Sequence, residues 1–171
     1  MFWERVVNFV TPVGILVLAL AFACSSAKDS ARFAANAAQG GMTEVELGKL
    51  AIQRGTEPSV KEFGQRMIAD HTRANNELKL VAAEKNIELP SDLNSSQKST
   101  MEKLSKLSGA EFDKEYISDM VNDHEEDVED FQTQANKGND PEIKAFAAKA
   151  LPTLQGHLQK ARELAKKIGA K

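Results

Sequence analysis

Long stretches of this chain repeat apolar residues at spacings of three and four, which is the period of an amphipathic α-helix. Short breaks at residues 55–56, 89–91 and 137–140 contain the glycine, proline and polar residues that end helices. Residues 108–111 have the spacing of a capping box, and Pro152 is expected to bend the last helix. The predicted helices are residues 30–54, 58–86, 95–107, 108–135 and 141–168.

Four long amphipathic helices and one short helix, joined by short connections, predict an all-α four-helix bundle. The chain has 171 residues, enough for one compact domain. Its formal net charge of -3 gives no reason to expect a nucleic-acid partner.

The first 23 residues have a different character from the rest. The uncharged apolar run Val13 to Ala23 fits the core of a secretory signal peptide. Ala21-Phe22-Ala23 has small residues at the two positions that an export peptidase recognises before its cleavage site. The run is short for a membrane span, and an uncleaved anchor is the alternative. Trp3 lies in this leader and would be absent from a cleaved protein.

The chain's only cysteine, Cys24, directly follows this segment. The setting resembles a bacterial lipoprotein signal, in which that cysteine is lipidated and becomes the first mature residue. We therefore expect an exported, periplasmic protein, either soluble or lipid-anchored, that meets a membrane only through its N-terminus. The predicted organisation is a signal peptide or anchor at 1–23, a short tether at 24–29 and the helical bundle at 30–169.

Three histidines are present, and each lies on the apolar face of a different predicted helix. They are His71, His124 and His157. Glu44 lies in the middle of the apolar face of the first helix, where a carboxylate is costly unless it is paired. Because all four groups face inward near mid-helix, the sequence predicts one shared interior site.

Imidazole and carboxylate groups together suit a transition-metal ion, so these four residues are candidate metal ligands. Met67 and Met120, one turn before two of the histidines, would add a preference for copper or haem. Asp127, one turn after His124, is a candidate ligand, or a candidate hydrogen-bond acceptor that orients a ligand. The alternative is a buried hydrogen-bond network that fixes the register of the helices, with both methionines as packing residues.

Two further patterns accompany the site. Glycines beside Glu44 would let another helix or a ligand come close, and an acidic stripe opposite His124 is expected to be a solvated face. The glycines are Gly40, Gly41 and Gly48, and the stripe is Asp119, Asp123, Glu126 and Asp130.

Six segments of the chain carry a family resemblance: residues 44–51 (EVELGKLA), 60–64 (VKEFG), 67–71 (MIADH), 108–113 (SGAEFD), 120–124 (MVNDH) and 151–158 (LPTLQGHL). With these segments the chain resembles a bacterial family catalogued as domain of unknown function 4142, which is grouped with ferritin-like bundles. The resemblance implies an exported ferritin-like four-helix domain and supplies no reaction.

The sequence departs from the ferritin-like di-iron pattern, which places Glu three residues before His on two helices. Here those positions hold Ile68, Val121 and Leu154. No nucleophilic or phosphate-binding motif is visible either, so no enzyme activity is predicted. These observations favour an envelope interaction or stress-associated module with structural histidines. The alternative function is binding of a metal ion or haem by the four buried residues.

Overall fold

The computed structural model describes the backbone of residues 13–170 and the side chains of residues 27–170. The described chain forms five helices and confirms the predicted all-α fold. They are α1 (Val13–Arg54), α2 (Pro58–Glu84), α3 (Ser95–Ser105), α4 (Gly109–Lys137) and α5 (Pro141–Ile168).

The long helices form a ring in the order α1, α2, α5, α4, in which each packs against its two neighbours. Short connections join α1 to α2 and α4 to α5, so each of these pairs is an antiparallel hairpin. The connection from α2 to α4 is long and contains α3, which packs on α1 and α4. One long crossover between two helical hairpins is the topology of ferritin-like bundles.

Two hydrophobic clusters fill the bundle, one towards each end. The first contains Leu47, Phe63, Met67 and Tyr116, and the second contains Leu78, Phe131 and Phe146 among others. Along each long helix, the candidate site residue lies between the residues that enter one cluster and those that enter the other. The four polar groups therefore form a layer between two apolar cores.

The helix termini differ from the predicted ones in detail. Helix α1 begins at Val13 and is continuous through residues 24–29, where the sequence predicted a tether. The predicted capping box at residues 108–111 is wrong, because Ser108 makes no side-chain cap at the start of α4. A capping box forms instead at α3, where Asn94 and Gln97 bond each other's backbone N–H groups. Helix α5 continues through Pro152.

The leader and its lipidation site remain predictions. Residues 1–12, which include Trp3, and the side chain of Cys24 lie outside the described residues. Within the described part of the chain, no helix combines the length and the apolar character that crossing a membrane requires.

The acidic stripe on α4 is only partly the solvated face that the sequence predicted. Glu126 and Asp130 are exposed, whereas Asp119 and Asp123 are half-buried. Burial is the main reason that the pKa of Asp123 rises to about 7, and the nearby charge of Asp119 raises it further. The prediction is wrong at this end of the stripe because the crossover helix α3 packs on α4 near Asp119, and because Asp123 lies close to Glu44 of α1.

Candidate metal centre

The structure brings Glu44, His71, His124 and His157 together, one from each long helix. Glu44 is 2% exposed, His71 is 5% exposed and the other two histidines are fully buried. The predicted inward orientation of the four residues is therefore correct. The helical period accounts for it, because each lies in register with the apolar residues on its own helix.

Backbone and side-chain acceptors fix the protonation of two rings. The Nδ1 of His124 donates to the carbonyl oxygen of Met120, 2.9 Å away, so its Nε2 carries the lone pair. The Nε2 of His157 donates to Oδ2 of Asp70, 2.8 Å away, so its Nδ1 carries the lone pair. In each ring one nitrogen donates a hydrogen bond that holds the ring in place, and the other nitrogen has a free lone pair.

The two free nitrogens face each other. His124 Nε2 lies 3.4 Å from His157 Nδ1, and it also lies 3.3 Å from Oε1 of Glu44. All three atoms are acceptors when both imidazoles are neutral. Such a group of lone pairs repels itself unless a proton or a cation lies among them.

His71 completes the cluster. Its Nδ1 lies 2.8 Å from Oε2 of Glu44, which is an ion-pair distance. The angle of this contact departs from that of a good hydrogen bond, and neither oxygen of Glu44 accepts one within the described residues. The Nε2 of His71 is buried without a partner there. One ring nitrogen from each histidine lies within 4.8 Å of the others. The Glu44 carboxylate contacts two of the three rings, His71 and His124.

Burial and charge act on the four groups in opposite directions. Burial would lower the pKa of His71, but the neighbouring carboxylate of Glu44 outweighs it and raises that pKa. Burial alone would raise the pKa of Glu44, and the three histidines bring it below its usual value. The pKa of His124 is lowered, mainly by burial, and burial lowers that of His157 to about 4. Without a bound ion, the contact between the two residues therefore favours an ionised Glu44 and a protonated His71.

The other candidate ligands lie at the edge of this arrangement. Met67 and Met120 are fully buried in the first hydrophobic cluster, and Met120 contacts His124 through its backbone carbonyl. Asp127 lines a cavity beside Glu44, and burial raises its pKa well above the usual value. The geometry thus favours packing roles for the methionines and leaves Asp127 next to the site.

A cavity of about 100 Å³ adjoins the cluster and reaches Glu44, His71 and His157. All four long helices contribute to its walls. Its outer part is formed by Arg73, Glu77 and Lys149 at the surface between α2 and α5.

Sequence reasoning missed Asp70. It directly precedes His71, so its side chain points about 100° away from that histidine around α2. This rotation carries it to the α2–α5 contact, where it meets His157. The available signal was the pair Asp70-His71 itself, since carboxylates are common hydrogen-bond partners of metal-binding histidines.

A comparison with protein families identifies the chain. The sequence model of the family described as "Domain of unknown function (DUF4142)" matches residues 18–164. The chain belongs to the DUF4142 family. This confirms the resemblance found in the sequence. Among curated proteins, none matches this DUF4142 chain.

Solved structures of similar fold support the architecture. A DUF305 protein from Streptomyces coelicolor has a TM-score of 0.70 and 16% identity, covering 81% of this chain and 91% of that one. A DUF305 fragment from Deinococcus radiodurans has a TM-score of 0.69 and 12% identity, covering 82% and 95%. A structure described as CopM in the Cu(I)-bound form has a TM-score of 0.68 and 15% identity, covering 81% and 96%. At these identities the similarity shows the fold alone.

Proposed function

We propose that this domain binds one zinc or copper ion through His71, His124 and His157, with Glu44 as an additional ligand. The observation that carries the proposal is the arrangement of the three imidazoles. His124 and His157 each donate from one nitrogen to an acceptor, His71 Nδ1 lies 2.8 Å from Glu44, and one ring nitrogen from each histidine lies within 4.8 Å of the others. Metal-binding histidines are oriented in this way by carboxylates and carbonyls behind them.

Distances in the cluster suit a tetrahedral ion. Two atoms that each lie about 2.0–2.1 Å from one ion at the tetrahedral angle are about 3.4 Å apart. The contacts from His124 Nε2 to His157 Nδ1 and to Glu44 Oε1 are 3.4 and 3.3 Å. The His71 ring must move inward to complete the set, because the three ring nitrogens now spread over as much as 4.8 Å.

The charge of the cluster also favours a cation. Glu44 is nearly fully buried, and a buried carboxylate is costly unless a positive charge is close. In the free protein the Glu44 carboxylate favours a proton on His71, whose Nδ1 lies 2.8 Å away. A divalent ion would replace the proton and would also occupy the space between the facing lone pairs of His124 and His157.

The shape of the site favours a single ion over haem or a di-iron centre. The adjoining cavity of about 100 Å³ is small beside the roughly 300–1,000 Å³ of pockets that hold larger ligands. The cluster contains one carboxylate, Glu44, whereas a ferritin-like di-iron cage uses four.

Zinc and copper are the ions to test first. Imidazole ligands suit both, and copper(II) heads the usual affinity order of divalent ions. CopM, which shares this fold, is described as bound to Cu(I). That description concerns CopM, and here it adds copper in its reduced form to the ions that deserve a titration.

Metal analysis of tag-free protein tests the proposal. Because the chain contains only three histidines, any histidine-dependent binding must involve this cluster. We expect one ion per chain in the wild type and less than half of that in His124→Ala. Met67→Leu is the matched control, since it replaces a neighbouring buried side chain of similar volume and should keep the ion.

A bound ion should also stabilise the fold. At an ion concentration of about 100 Kd, the free energy of unfolding should rise by about 2.7 kcal/mol. Metal-free protein whose stability does not change with zinc, copper(I) or copper(II) would contradict the proposal. The histidines would then be structural, as expected for an envelope interaction or stress-associated module.

We further propose that the domain is exported and lipid-anchored at Cys24. The leader sequence supports this, and one of the similar structures is of a protein described as secreted. Intact-mass analysis of the protein from its native host tests it. A mature chain that starts at a lipidated Cys24 is expected, and an unmodified Cys24 or a retained leader would contradict it.

A further inference from the structure

The cavity beside the histidine cluster connects the buried site to the protein surface. At its inner end it reaches His157, which is fully buried, and His71. At its outer end lie Lys149 and Arg73, whose side chains are each 71% exposed. The cavity therefore leads from solvent between α2 and α5 to the groups that face an ion.

The walls of this passage suit the movement of a cation. Four carboxyl groups line it, from Glu44, Asp70, Glu77 and Asp127, and Arg73 and Lys149 lie beside them. Carboxylate oxygens are ligands that a zinc ion accepts, so they can hold a cation on its way to the histidines. Small side chains at Ala74 and Ala150, on opposite helices, keep the passage free.

An ion pair crosses the outer end. The Nζ of Lys149 on α5 lies 2.9 and 2.8 Å from the two carboxylate oxygens of Glu77 on α2. Lys149 is largely exposed, and such pairs are worth little free energy. This bridge can therefore open without disturbing the packed helices behind it.

We propose that a zinc or copper cation enters and leaves the histidine cluster through this cavity, so that the site exchanges its ion with solution or with a carrier. The proposal rests on the proposed metal-binding function. It makes the domain a metal carrier or buffer, in contrast to a protein that buries a permanent structural ion. The carboxylates of the passage receive the cation, and the histidines hold it.

Exchange kinetics of the full chain test the proposal. Zn²⁺-loaded protein is mixed with an excess of a coloured chelator, and the reverse reaction is started from metal-free protein and free Zn²⁺. Ala150→Phe narrows the passage from α5, and Ala74→Leu narrows it from α2. Each variant should slow both loading and release by about tenfold or more while leaving the equilibrium affinity within about twofold.

Ala148→Phe is the matched control, because Ala148 lies on the same helix and is exposed outside the cavity. Its exchange rates should equal those of the wild type. Lys149→Ala should accelerate both directions, since it removes the bridge to Glu77.

The outcomes separate the two proposals. If the wild type binds Zn²⁺ and both narrowed variants exchange it at the wild-type rate, the passage is wrong and the metal site stands. If a narrowed variant has a lower affinity for Zn²⁺ but an unchanged exchange rate, the cavity is part of the binding site and the passage is again wrong. A wild type that binds no ion overturns the metal site and the passage together.

Discussion

Asp70 on α2 accepts a hydrogen bond from His157 on α5, with Oδ2 2.8 Å from Nε2. The contact determines that the free nitrogen of His157 is Nδ1, the atom that faces His124. Asp70 is also held by the exposed guanidinium groups of Arg66 and Arg73. A carboxylate at the edge of the bundle thus orients a histidine in its interior.

Replacing Asp70 should weaken metal binding although Asp70 does not face the ion. In Asp70→Ala the His157 ring loses its acceptor, and the affinity for Zn²⁺ should fall by about 10–100-fold, the usual effect of removing such a partner. Competition titration against a chelator measures it. Arg73→Ala is the control, since it removes the exposed ion pair and keeps the contact to His157, and its affinity should stay within about threefold. Equal losses in the two variants would contradict the orienting role.

Metal binding should depend on pH through His71. Burial lowers the pKa of His71, and the Glu44 carboxylate outweighs burial and raises it above the usual value. In the metal-free protein this pair stabilises the fold fully between pH 4.5 and pH 6.5; the contribution is lost as the pH rises through the raised pKa of His71 and as it falls through the lowered pKa of Glu44. An ion must displace the same proton, so the affinity should rise by about tenfold per pH unit up to that pKa and then level off.

Titrations of Zn²⁺ binding across pH 5–9 measure this dependence. In Glu44→Gln the carboxylate charge is gone, so the plateau should begin at a lower pH. The nitrogen chemical shifts of His71 give its pKa independently in the metal-free protein. A plateau at the same pH in both proteins would contradict the pairing of Glu44 with His71.

The helical period alone was enough to predict the bundle and the burial of its four central polar groups. Each long helix has a repeating apolar face, and the positions of Glu44, His71, His124 and His157 on those faces determined their depth. What the period could not predict is contact between helices, because that depends on how each helix is rotated against its neighbours.

Asp70 and Asp113 show this limit. The helical period places both beside the apolar face of their own helix. Their hydrogen bonds, however, are made to other elements: Asp70 to His157 on α5, and Asp113 to the backbone N–H of Glu57. The exposure of Asp119 was also mispredicted, because the crossover helix α3 covers that end of α4 and no periodicity within α4 reports it.

Asp113 should be a major contributor to stability. It is 3% exposed on α4, and its carboxylate accepts the backbone N–H groups of Thr56 and Glu57 where α2 begins. These distances are 3.1 and 2.9 Å. Because hydrogen bonds to charged groups contribute about 1.5–3 kcal/mol, Asp113→Ala should lower the free energy of unfolding by about 2–4 kcal/mol.

Urea denaturation of the metal-free protein measures this change. Asp130→Ala is the control on the same helix, since Asp130 is exposed, and it should alter the free energy of unfolding by less than about 0.5 kcal/mol. A loss in Asp113→Ala no larger than that of the control would show that water replaces the carboxylate at this helix start.

Replacing two glycines of α1 by alanine should change the free energy of unfolding in opposite directions. A Cβ at Gly48 would lie 2.6 Å from the carbonyl oxygen of Gly64, on the backbone of α2, which cannot move without separating the helices. A Cβ at Gly40 would have nothing within 4 Å. The sequence had suggested close approach at both positions, and at Gly40 that expectation is wrong.

Gly48→Ala should therefore lower the free energy of unfolding by about 1–3 kcal/mol through overpacking. Gly40→Ala should raise it by about 0.5–1 kcal/mol, because alanine restricts the unfolded chain and favours the helix. Both changes are measured by urea denaturation of metal-free protein, so that any change in metal affinity does not contribute. Since helix propensity alone would make both variants more stable, a stabilised Gly48→Ala would contradict the close packing of α1 on α2. That packing positions Glu44 beside His71, so Gly48→Ala should also weaken Zn²⁺ binding while Gly40→Ala leaves it unchanged.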